Sequence, residues 1–443
     1  MANFGWSRER KALLRRRDFL RVGSLPFLGI SLPQFLGVNN LLAGSVDQSK
    51  AKAQAVILLW LKGGPSQVDT WDPKPNSSFR PIATNVAGIQ ISELLPKTAR
   101  HMDKLSVIRS IHSEEIDHPE GTHYAITGHR PNPAMKFPSL GAILSKEMGI
   151  RNGVPPHVLA PSIIQQYDGY FKSAFLGAQY DPLVVPDPSQ ENFAIPDLSL
   201  PQPITPERIE SRRDFAQLVD VVFREREQLA EHSRLDALTD QALKMILSPT
   251  IKEAFDLSQE TDQTKDAYGR DSFGQSTLLA RRLVEKGARF VTASGFAFNS
   301  WDTHSHNDRE HRDKLVPALD RSLAALLEDL KQRGLYDSTV VVVSGEFGRT
   351  PEINPNNGRD HWPHCWSMAI GGGGIQGGHI IGASDARGAY VAERMVTIGD
   401  VFATIYKAFG IDWTKTYDTP IGRPIKIANS IDDKTGEPLA ELV

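Results

Sequence analysis

The sequence predicts an α/β protein built on a doubly wound, mainly parallel β-sheet. Short continuous apolar segments alternate along the chain with longer helical segments. Strands of this kind are buried on both faces, which requires helices on each side of the sheet. The chain has 443 residues, of which 40% are hydrophobic and 23% are charged, so it can bury a large core. No run of 18 apolar residues occurs, which excludes a protein with several membrane spans.

Six apolar segments are the predicted strands of this sheet. The clearest is the run Thr-Val-Val-Val-Val at 339–343, which has the β-branched composition of a buried strand. The segment 55–61 is equally apolar and is followed by two glycines and a proline, which end it. The other predicted strands are 105–109, 157–160, 289–293 and 366–370.

Apolar residues at helical spacing predict four helices between these strands. The stripe of leucines at 312–333 ends at Gly334, and the segment 273–286 ends at Gly287. The other two predicted helices are 139–148 and 398–409. Residues 181–206 contain seven prolines and are followed by a charged, helical stretch. We therefore predict that 181–257 is an inserted helical lid beside the main sheet.

The amino terminus has the organisation of an export signal. Residues 1–21 contain seven Lys or Arg against two acidic residues, and a modestly apolar stretch follows. The alternative is a basic amphipathic surface helix, which Pro26 and Pro33 disfavour. The pair Arg16-Arg17 before Phe-Leu resembles a twin-arginine signal, which exports folded proteins.

This interpretation predicts the domain organisation and the location. Residues 1–53 are the signal and linker, and 54–435 are the main α/β domain. We expect the twin-arginine (Tat) translocase as a partner during export, and a periplasmic or extracellular location. An uncleaved anchor is the alternative, because the cleavage point is not evident in the sequence.

Charge and cysteine content exclude further classes of protein. The net charge is −3, and removing the basic amino terminus leaves a mildly acidic body, which argues against nucleic acid as a partner. The single cysteine, Cys365, permits no intramolecular disulfide and no multi-cysteine metal site. We interpret Cys365 as a buried, inert thiol.

Histidines and carboxylates are concentrated where a parallel sheet places its site. Eleven of the 13 histidines fall within 101–129, 304–311 and 361–379. Four polar segments directly follow predicted strands, and sites form at the carboxyl ends of such strands. These segments are 63–72, 110–123, 301–306 and 344–350, and a fifth, at 359–364, lies just before a strand.

Neutral imidazole and carboxylate are ligands that suit zinc, manganese or iron, and a hydrolytic site needs three or four of them. Each has a structural alternative when taken singly. Asp69 could cap a turn, and Glu346 could pair with Arg349 or Arg359. His112, His129 and His379 are interpreted as surface or hydrogen-bonded histidines. The candidate metal ligands are Asp69, Asp302, His304, Glu346, Asp360 and His361.

The motifs in these segments resemble one bacterial family. The segments 63–75, 121–129, 301–304, 345–351 and 358–363 are similar to motifs of domain of unknown function 1501 (DUF1501), a family usually exported by a twin-arginine signal. The resemblance covers nearly all of 55–430. That family in turn resembles the alkaline phosphatase and sulfatase superfamily. The resemblance implies a doubly wound sheet, divalent metals and hydrolysis of phosphate or sulfate esters.

Carried over residue by residue, the resemblance implies roles for several side chains. Asp69 matches the first metal-binding aspartate, and Asp360-His361 matches a late Asp-His pair. His118 falls at the position of the nucleophile, which is a departure because the Cys/Ser-x-Pro-x-Arg signature of sulfatases is absent. Ser113 and Thr122 are the nearby hydroxyls that could substitute.

These observations lead to one expected function and two alternatives. The leading hypothesis is an exported hydrolase of sulfate or phosphate esters that uses one or two ions of zinc, manganese or calcium. Arg349 or Arg359 would hold the anionic group of the ester or of a sulfated glycan. One alternative is a non-catalytic relative that binds a sulfated glycan or a protein partner. The other is a metal hydrolase that uses bound water and no covalent nucleophile.

Overall fold

The computed structural model describes residues 51–162, 169–195, 248–296 and 300–443. The predicted export signal and most of the predicted insertion therefore lie outside the described residues. In the described part of the chain, no helix has both the length and the apolar character needed to cross a membrane.

Eight strands form the central sheet in the described part of the chain, in the order β8-β2-β7-β6-β1-β5-β3-β4. All neighbouring pairs are parallel except those of β7, which runs antiparallel to β2 and to β6. The predicted mainly parallel α/β fold is confirmed. The strands are β1 (Ala55–Trp60), β2 (Ser106–Ile111), β3 (His157–Ala160), β4 (Leu183–Val184), β5 (Phe290–Ala293), β6 (Thr339–Ser344), β7 (Trp366–Gly372) and β8 (Ile380–Ile381).

Helices cover both faces of this sheet. The helices are α1 (His118–Thr127), α2 (Leu140–Met148), α3 (Pro249–Phe255), α4 (Asp262–Tyr268), α5 (Ser272–Lys286), α6 (Asn307–Glu310), α7 (Val316–Gln332) and α8 (Ile398–Ala408). Ile57 and Leu59 of β1 belong to one core cluster with α5 and α7. Val56 and Leu58, which point the other way, belong to a second cluster with α1, α2 and α8. This double burial explains why β1 is a continuous apolar run.

Side-chain caps begin several helices where the sequence provides them. The hydroxyl of Ser139 accepts from a backbone N–H in the first turn of α2, and Asp271 does the same for α5. Thr397 and Asp400 form a reciprocal capping box at the start of α8. The predicted helix at 312–333 begins later, because residues 311–315 form a π-helical turn before α7.

The amino-terminal end of the predicted insertion contains a short strand of the main sheet. Leu183–Val184 forms β4, the edge strand that pairs in parallel with β3. At the other end, α3 packs against α5 through Ile251 and Phe255, which belong to the same core cluster. Residues 196–247 lie outside the described residues, so the helical lid stays a prediction.

Small antiparallel ribbons lie beside the main sheet. In one of them Gly348–Arg349 pairs with His361–Trp362, which sets His361 opposite Arg349. The other ribbons pair Pro81–Ala83 with Gln90–Ser92, Ala383–Ser384 with Val391–Glu393, and Thr416–Tyr417 with Ile425–Lys426. The first ribbon carries the segment 359–364 back to the carboxyl edge of the sheet.

Candidate metal centre

The candidate site lies at the carboxyl edge of the sheet, where the loops after β1, β2, β5 and β6 meet. Glu346 follows β6 and is fully buried. Its Oε1 accepts hydrogen bonds from the backbone N–H of Gly63 at 2.9 Å and from His118 Nδ1 at 2.7 Å. Gly63 has a φ of +115°, and a Cβ there would lie 2.4 Å from the nitrogen of Asp302. The segments after β1, β5 and β6 therefore approach one another at this edge.

Asp302 is the central residue of the cluster. Its Oδ1 lies 3.0 Å from His304 Nε2, 3.1 Å from His361 Nε2 and 2.5 Å from Arg349 Nη2. Its Oδ2 lies 3.2 Å from His118 Nε2. Burial raises the pKa of Asp302, but its contacts with His118, His361 and Arg349 outweigh burial and hold that pKa well below its usual range. Asp302 is therefore an anion at neutral pH.

Acceptors outside the cluster orient the imidazoles of His304 and His361. His304 Nδ1 donates to Asp360 Oδ1 at 2.6 Å, and His361 Nδ1 donates to the carbonyl of Ile116 at 2.7 Å. Because a carbonyl and a carboxylate only accept, both Nδ1 atoms carry protons, and the Nε2 atom of each ring is the one that faces Asp302 Oδ1. The two Nε2 atoms lie 3.1 Å apart. Metal-binding histidines are oriented by outer acceptors in this way.

His118 is the most buried of the three imidazoles, and it begins α1. Its Nδ1 donates to Glu346, while its Nε2 is within ion-pair distance of Asp302 but has no hydrogen-bond partner among the described residues. Burial lowers the pKa of His118, but Asp302 and Glu346 oppose burial and raise it to about 9. The His118 ring meets the His361 ring edge-on at 4.4 Å between centroids.

These donors fit a divalent metal ion. Ligand atoms of His118, Asp302 and His361 all lie within 4.8 Å of one another. His118 Nε2 is buried without a hydrogen-bond partner among the described residues, which is unfavourable unless a bound group satisfies it. The chemistry of three imidazoles around one carboxylate suits a first-row divalent ion. The cluster is open on the side of His304 and Asp360, whose side chains are 45% and 53% exposed.

Asp69 does not join this cluster, contrary to expectation. Arg359 Nε donates to its Oδ2 at 2.8 Å, as do Ser66 at 2.7 Å and Asn307 at 2.8 Å. Its Oδ1 accepts from Ser77 at 2.6 Å. Both oxygens are thus saturated by protein donors, and the pair is fully buried. In this structure Asp69 is a structural ion-pair partner, and its expected convergence with Asp302 is not found.

Neither arginine that we expected to bind the anionic group is free to do so. Arg349 is fully buried and donates to Asp302, to the carbonyl of Gly64 at 2.9 Å and to that of Arg359 at 3.1 Å. Arg359 is equally buried and donates to Asp69 and to the carbonyl of Thr350 at 3.0 Å. Their N–H groups anchor the loops behind the cluster, so the expected role as an anion clamp is corrected.

His118, at the expected nucleophile position, belongs to the cluster, whereas the two hydroxyls that could substitute for it make no hydrogen bond to the cluster. The hydroxyls of Ser113 and Thr122 are buried and have no hydrogen-bond partner among the described residues. Thr122 lies one turn after His118 on the same face of α1 and is 1% exposed. Cys365 donates to the carbonyl of Arg109, and burial raises the pKa of its thiol to about 12, so it is inert at neutral pH.

Two other predicted ligands contact histidines of the cluster and not Asp302. Glu346 accepts a hydrogen bond from His118, and Asp360 accepts one from His304. Asn354 donates to Asp360 Oδ1 and to the carbonyl of His304, both at 3.0 Å. The sequence did not predict the backbone groups of Gly63 and Ile116, because a backbone group carries no residue-type signal. It did not predict Asn354 either, because its side chain contacts the cluster only through Asp360 and His304.

A separate cavity of about 480 Å³ lies beside the carboxyl end of α1. Its walls include Tyr124, Arg130, Phe137 and Arg423, and none of the cluster residues lines it. We therefore locate the candidate site by the arrangement of Asp302 and the three imidazoles around it, and not by this cavity.

Comparisons with known proteins give a family and several distant structures. The sequence profile of the family described as "Protein of unknown function (DUF1501)" matches residues 53–440. No curated protein matches the chain in sequence. A protein in the alkaline phosphatase superfamily from Vibrio parahaemolyticus shares 14% identity with the chain. The match covers 82% of this chain and 68% of that one, with a TM-score of 0.40.

Two further solved structures are similar at the same level. The PsFucS1 sulfatase from Pseudoalteromonas sp. is 12% identical, over 82% of this chain and 69% of its own, with a TM-score of 0.36. A mutant of TAB5 alkaline phosphatase with Mg bound is 13% identical, over 82% of this chain and 99% of its own, with a TM-score of 0.39. Similarity at this level assigns no activity, substrate or metal to this chain.

Proposed function

We propose that this chain, which belongs to the DUF1501 family, is a metal-dependent hydrolase of phosphate or sulfate esters. The observation that carries the proposal is the convergence of three imidazole Nε2 atoms on one ionised carboxylate, Asp302, at the open edge of the sheet. A divalent ion bound in this cluster would supply a Lewis acid for the ester oxygen and a water molecule activated for attack.

Neighbouring residues hold the side chains of this cluster in fixed orientations. Asp360 and the carbonyl of Ile116 each accept an Nδ1 proton, so that His304 and His361 turn their Nε2 atoms toward Asp302. Arg349 anchors Asp302 with a charged hydrogen bond at 2.5 Å. These contacts place the donors before a substrate arrives, which lowers the cost of organising the site during the reaction.

We further propose that water attacks the phosphorus or sulfur directly, without a covalent enzyme intermediate. The ester bond to phosphorus or sulfur breaks, a new bond to the water oxygen forms, and the alcohol leaves with a proton. The hydroxyls of Ser113 and Thr122 make no hydrogen bond to the cluster, and Cys365 donates to the carbonyl of Arg109, which supports this route. Mass spectrometry of protein quenched during turnover should detect no phosphoryl or sulfuryl adduct. An adduct on His118 or Thr122 would exclude direct attack.

One observation favours a second candidate, a binding protein without turnover. Arg349 and Arg359 are both committed to structural hydrogen bonds, so neither provides the anion clamp expected of an ester hydrolase. In that case the metal cluster would bind a sulfated glycan or an anionic partner through the ion alone.

Hydrolysis assays distinguish the two candidates. The full-length protein is treated with a chelator, reloaded with zinc or manganese, and assayed on aryl phosphate and aryl sulfate esters. Turnover should return with metal in the wild type and in His379→Ala, whose ring lies outside the cluster, and should be absent in Asp302→Asn. A folded, metal-loaded wild type that hydrolyses no ester but binds sulfated oligosaccharides would support the binding protein instead.

A further inference from the structure

We propose that Asp302, His304 and His361 are the three protein ligands of one zinc-class ion, and that the site discriminates against calcium and magnesium. By zinc-class we mean Zn²⁺ and the divalent ions that, like it, accept imidazole nitrogen readily. The inference rests on the metal-dependent function proposed above and adds its ligand set and its metal class.

The first argument is the spacing of the three ligand atoms. Asp302 Oδ1, His304 Nε2 and His361 Nε2 form a triangle whose sides are 3.0, 3.1 and 3.1 Å. Atoms at these separations leave a point about 2.0–2.1 Å from each of them, which is the bond length of zinc to imidazole nitrogen. An ion at that point needs little movement of the three side chains.

The second argument is the orientation of the two rings. The outer acceptors of His304 and His361 take the Nδ1 protons, so both rings turn their Nε2 atoms toward each other and toward Asp302 Oδ1. Outer acceptors on ligating histidines are the usual arrangement at zinc sites.

His118 is the alternative third ligand, and its geometry is less favourable. Its Nε2 faces the other carboxylate oxygen, Asp302 Oδ2, and its approach to His361 is bounded only by 4.8 Å. We therefore infer that His118 positions Asp302 through its second carboxylate oxygen and does not bind the ion. Three ligands and one open position are the pattern of catalytic zinc sites. His304, which is 45% exposed, lies on the solvent side of the cluster.

The third argument concerns which ion the donors prefer. Calcium takes six to eight oxygen ligands at roughly 2.3–2.6 Å, and magnesium keeps an octahedral oxygen shell with several waters. The proposed trio offers two nitrogens and one oxygen, and the point between them lies about 2.0–2.1 Å from each, which is shorter than a calcium–oxygen bond. The nearest further carboxylates, Glu346 and Asp360, are already bound to His118 and His304. The donor set therefore favours zinc over calcium, although the sequence alone left both metals open.

Metal titration of the full-length, chelator-treated protein tests the inference without any assay of turnover. Elemental analysis should find one Zn²⁺ per chain, and a competing chromophoric chelator should show Zn²⁺ bound at least about 100-fold more tightly than Ca²⁺ or Mg²⁺. Co²⁺ loading provides a visible spectrum that reports the ligand set directly.

Three single variants separate the two possible ligand trios. His304→Ala should weaken Zn²⁺ binding more than about 100-fold, beyond the roughly 10–100-fold effect typical of an outer partner. It should also alter the Co²⁺ spectrum. His118→Ala should weaken binding less than about 10-fold, and the exposed His306→Ala, from the same loop, serves as the control. Circular dichroism checks that each variant is folded.

The outcomes distinguish this inference from the proposed function. Zinc loss in His118→Ala with retention in His304→Ala would overturn the ligand set and leave the hydrolase proposal standing. A wild type that prefers Ca²⁺ would overturn the metal class, and two ions per chain would overturn the single site. A folded wild type that binds no divalent ion would remove the proposed function together with this inference.

Discussion

At the scale of the residue, we expect the buried pair of Asp69 and Arg359 to contribute to stability rather than to metal binding. Asp69→Asn leaves the fully buried guanidinium of Arg359 without its counter-charge, which typically costs about 3–5 kcal/mol. Urea unfolding should show this loss, while the zinc content of the folded variant stays unchanged. Asp433→Asn, from an exposed pair with Arg423, is the matched control and should cost under about 1 kcal/mol. Loss of zinc in Asp69→Asn would return Asp69 to the ligand set.

Asp360 should affect metal binding only through His304. Asp360→Asn removes the anionic acceptor at His304 Nδ1, although an amide oxygen can still accept that proton. We expect zinc affinity to fall by roughly 10–100-fold, as for other outer partners of ligating histidines. Competition with a chromophoric chelator measures the change. An affinity loss as large as that of Asp302→Asn would mean that Asp360 binds the ion itself.

Two buried histidines should make the fold sensitive to acid. Burial lowers the pKa of His157 to about 3 and that of His129 to about 4, compared with 6.5 for an exposed imidazole. Below pH 6.5 the unfolded chain binds protons that the native protein does not, so stability falls as the pH drops toward 4. Each histidine contributes at most about 1.4 kcal/mol per pH unit in this window.

The comparison that checks this effect uses urea unfolding at pH 7 and pH 4.5. The double variant His129→Gln, His157→Asn should lose less stability between the two pH values than the wild type does. Equal losses in both proteins would assign the acid sensitivity to carboxylates instead.

At the scale of the element, the loop that ends at Gly358 brings one half of the cluster to the other. A Cβ on Gly358 would lie 2.0 Å from the backbone carbon and oxygen of His304, so the two segments pack backbone to backbone. Gly358→Ala should push the loops apart, cost about 1–3 kcal/mol and weaken zinc binding. Gly169→Ala is the control, because nothing lies within 4 Å of its added Cβ. Thermal unfolding with and without zinc measures both effects.

At the scale of the whole molecule, export is a property that the amino-terminal sequence predicts and the described residues do not include. Changing Arg16 and Arg17 to lysine preserves the charge but removes the paired guanidinium groups. We expect this double variant to remain in the cytoplasm of its host, and cell fractionation would show its location. Unchanged export of the double variant would contradict a twin-arginine signal.

The sequence alone was sufficient for the architecture and for the neighbourhood of the site. Apolar runs such as 339–343 and glycines such as Gly287 are local signals, so strands and helices were predicted within a few residues. The exceptions were helices such as α1 and α4, short edge strands such as Leu183–Val184, and the reversed direction of β7. The edge strands and the direction of β7 depend on pairing between distant segments. The rule that loops meet at the carboxyl edge then placed Asp302 and Glu346 near each other.

Only the tertiary structure decided what each polar side chain does there. Asp69 resembled a metal ligand as closely as Asp302 did, but Arg359, 290 residues away, saturates it. The orientation of His361 depends on the backbone carbonyl of Ile116, a group that every residue type carries. Residue type and spacing determine which atoms are available for chemistry. The hydrogen-bond partners that fix their direction come from loops far apart in the chain, so their assignment required the folded protein.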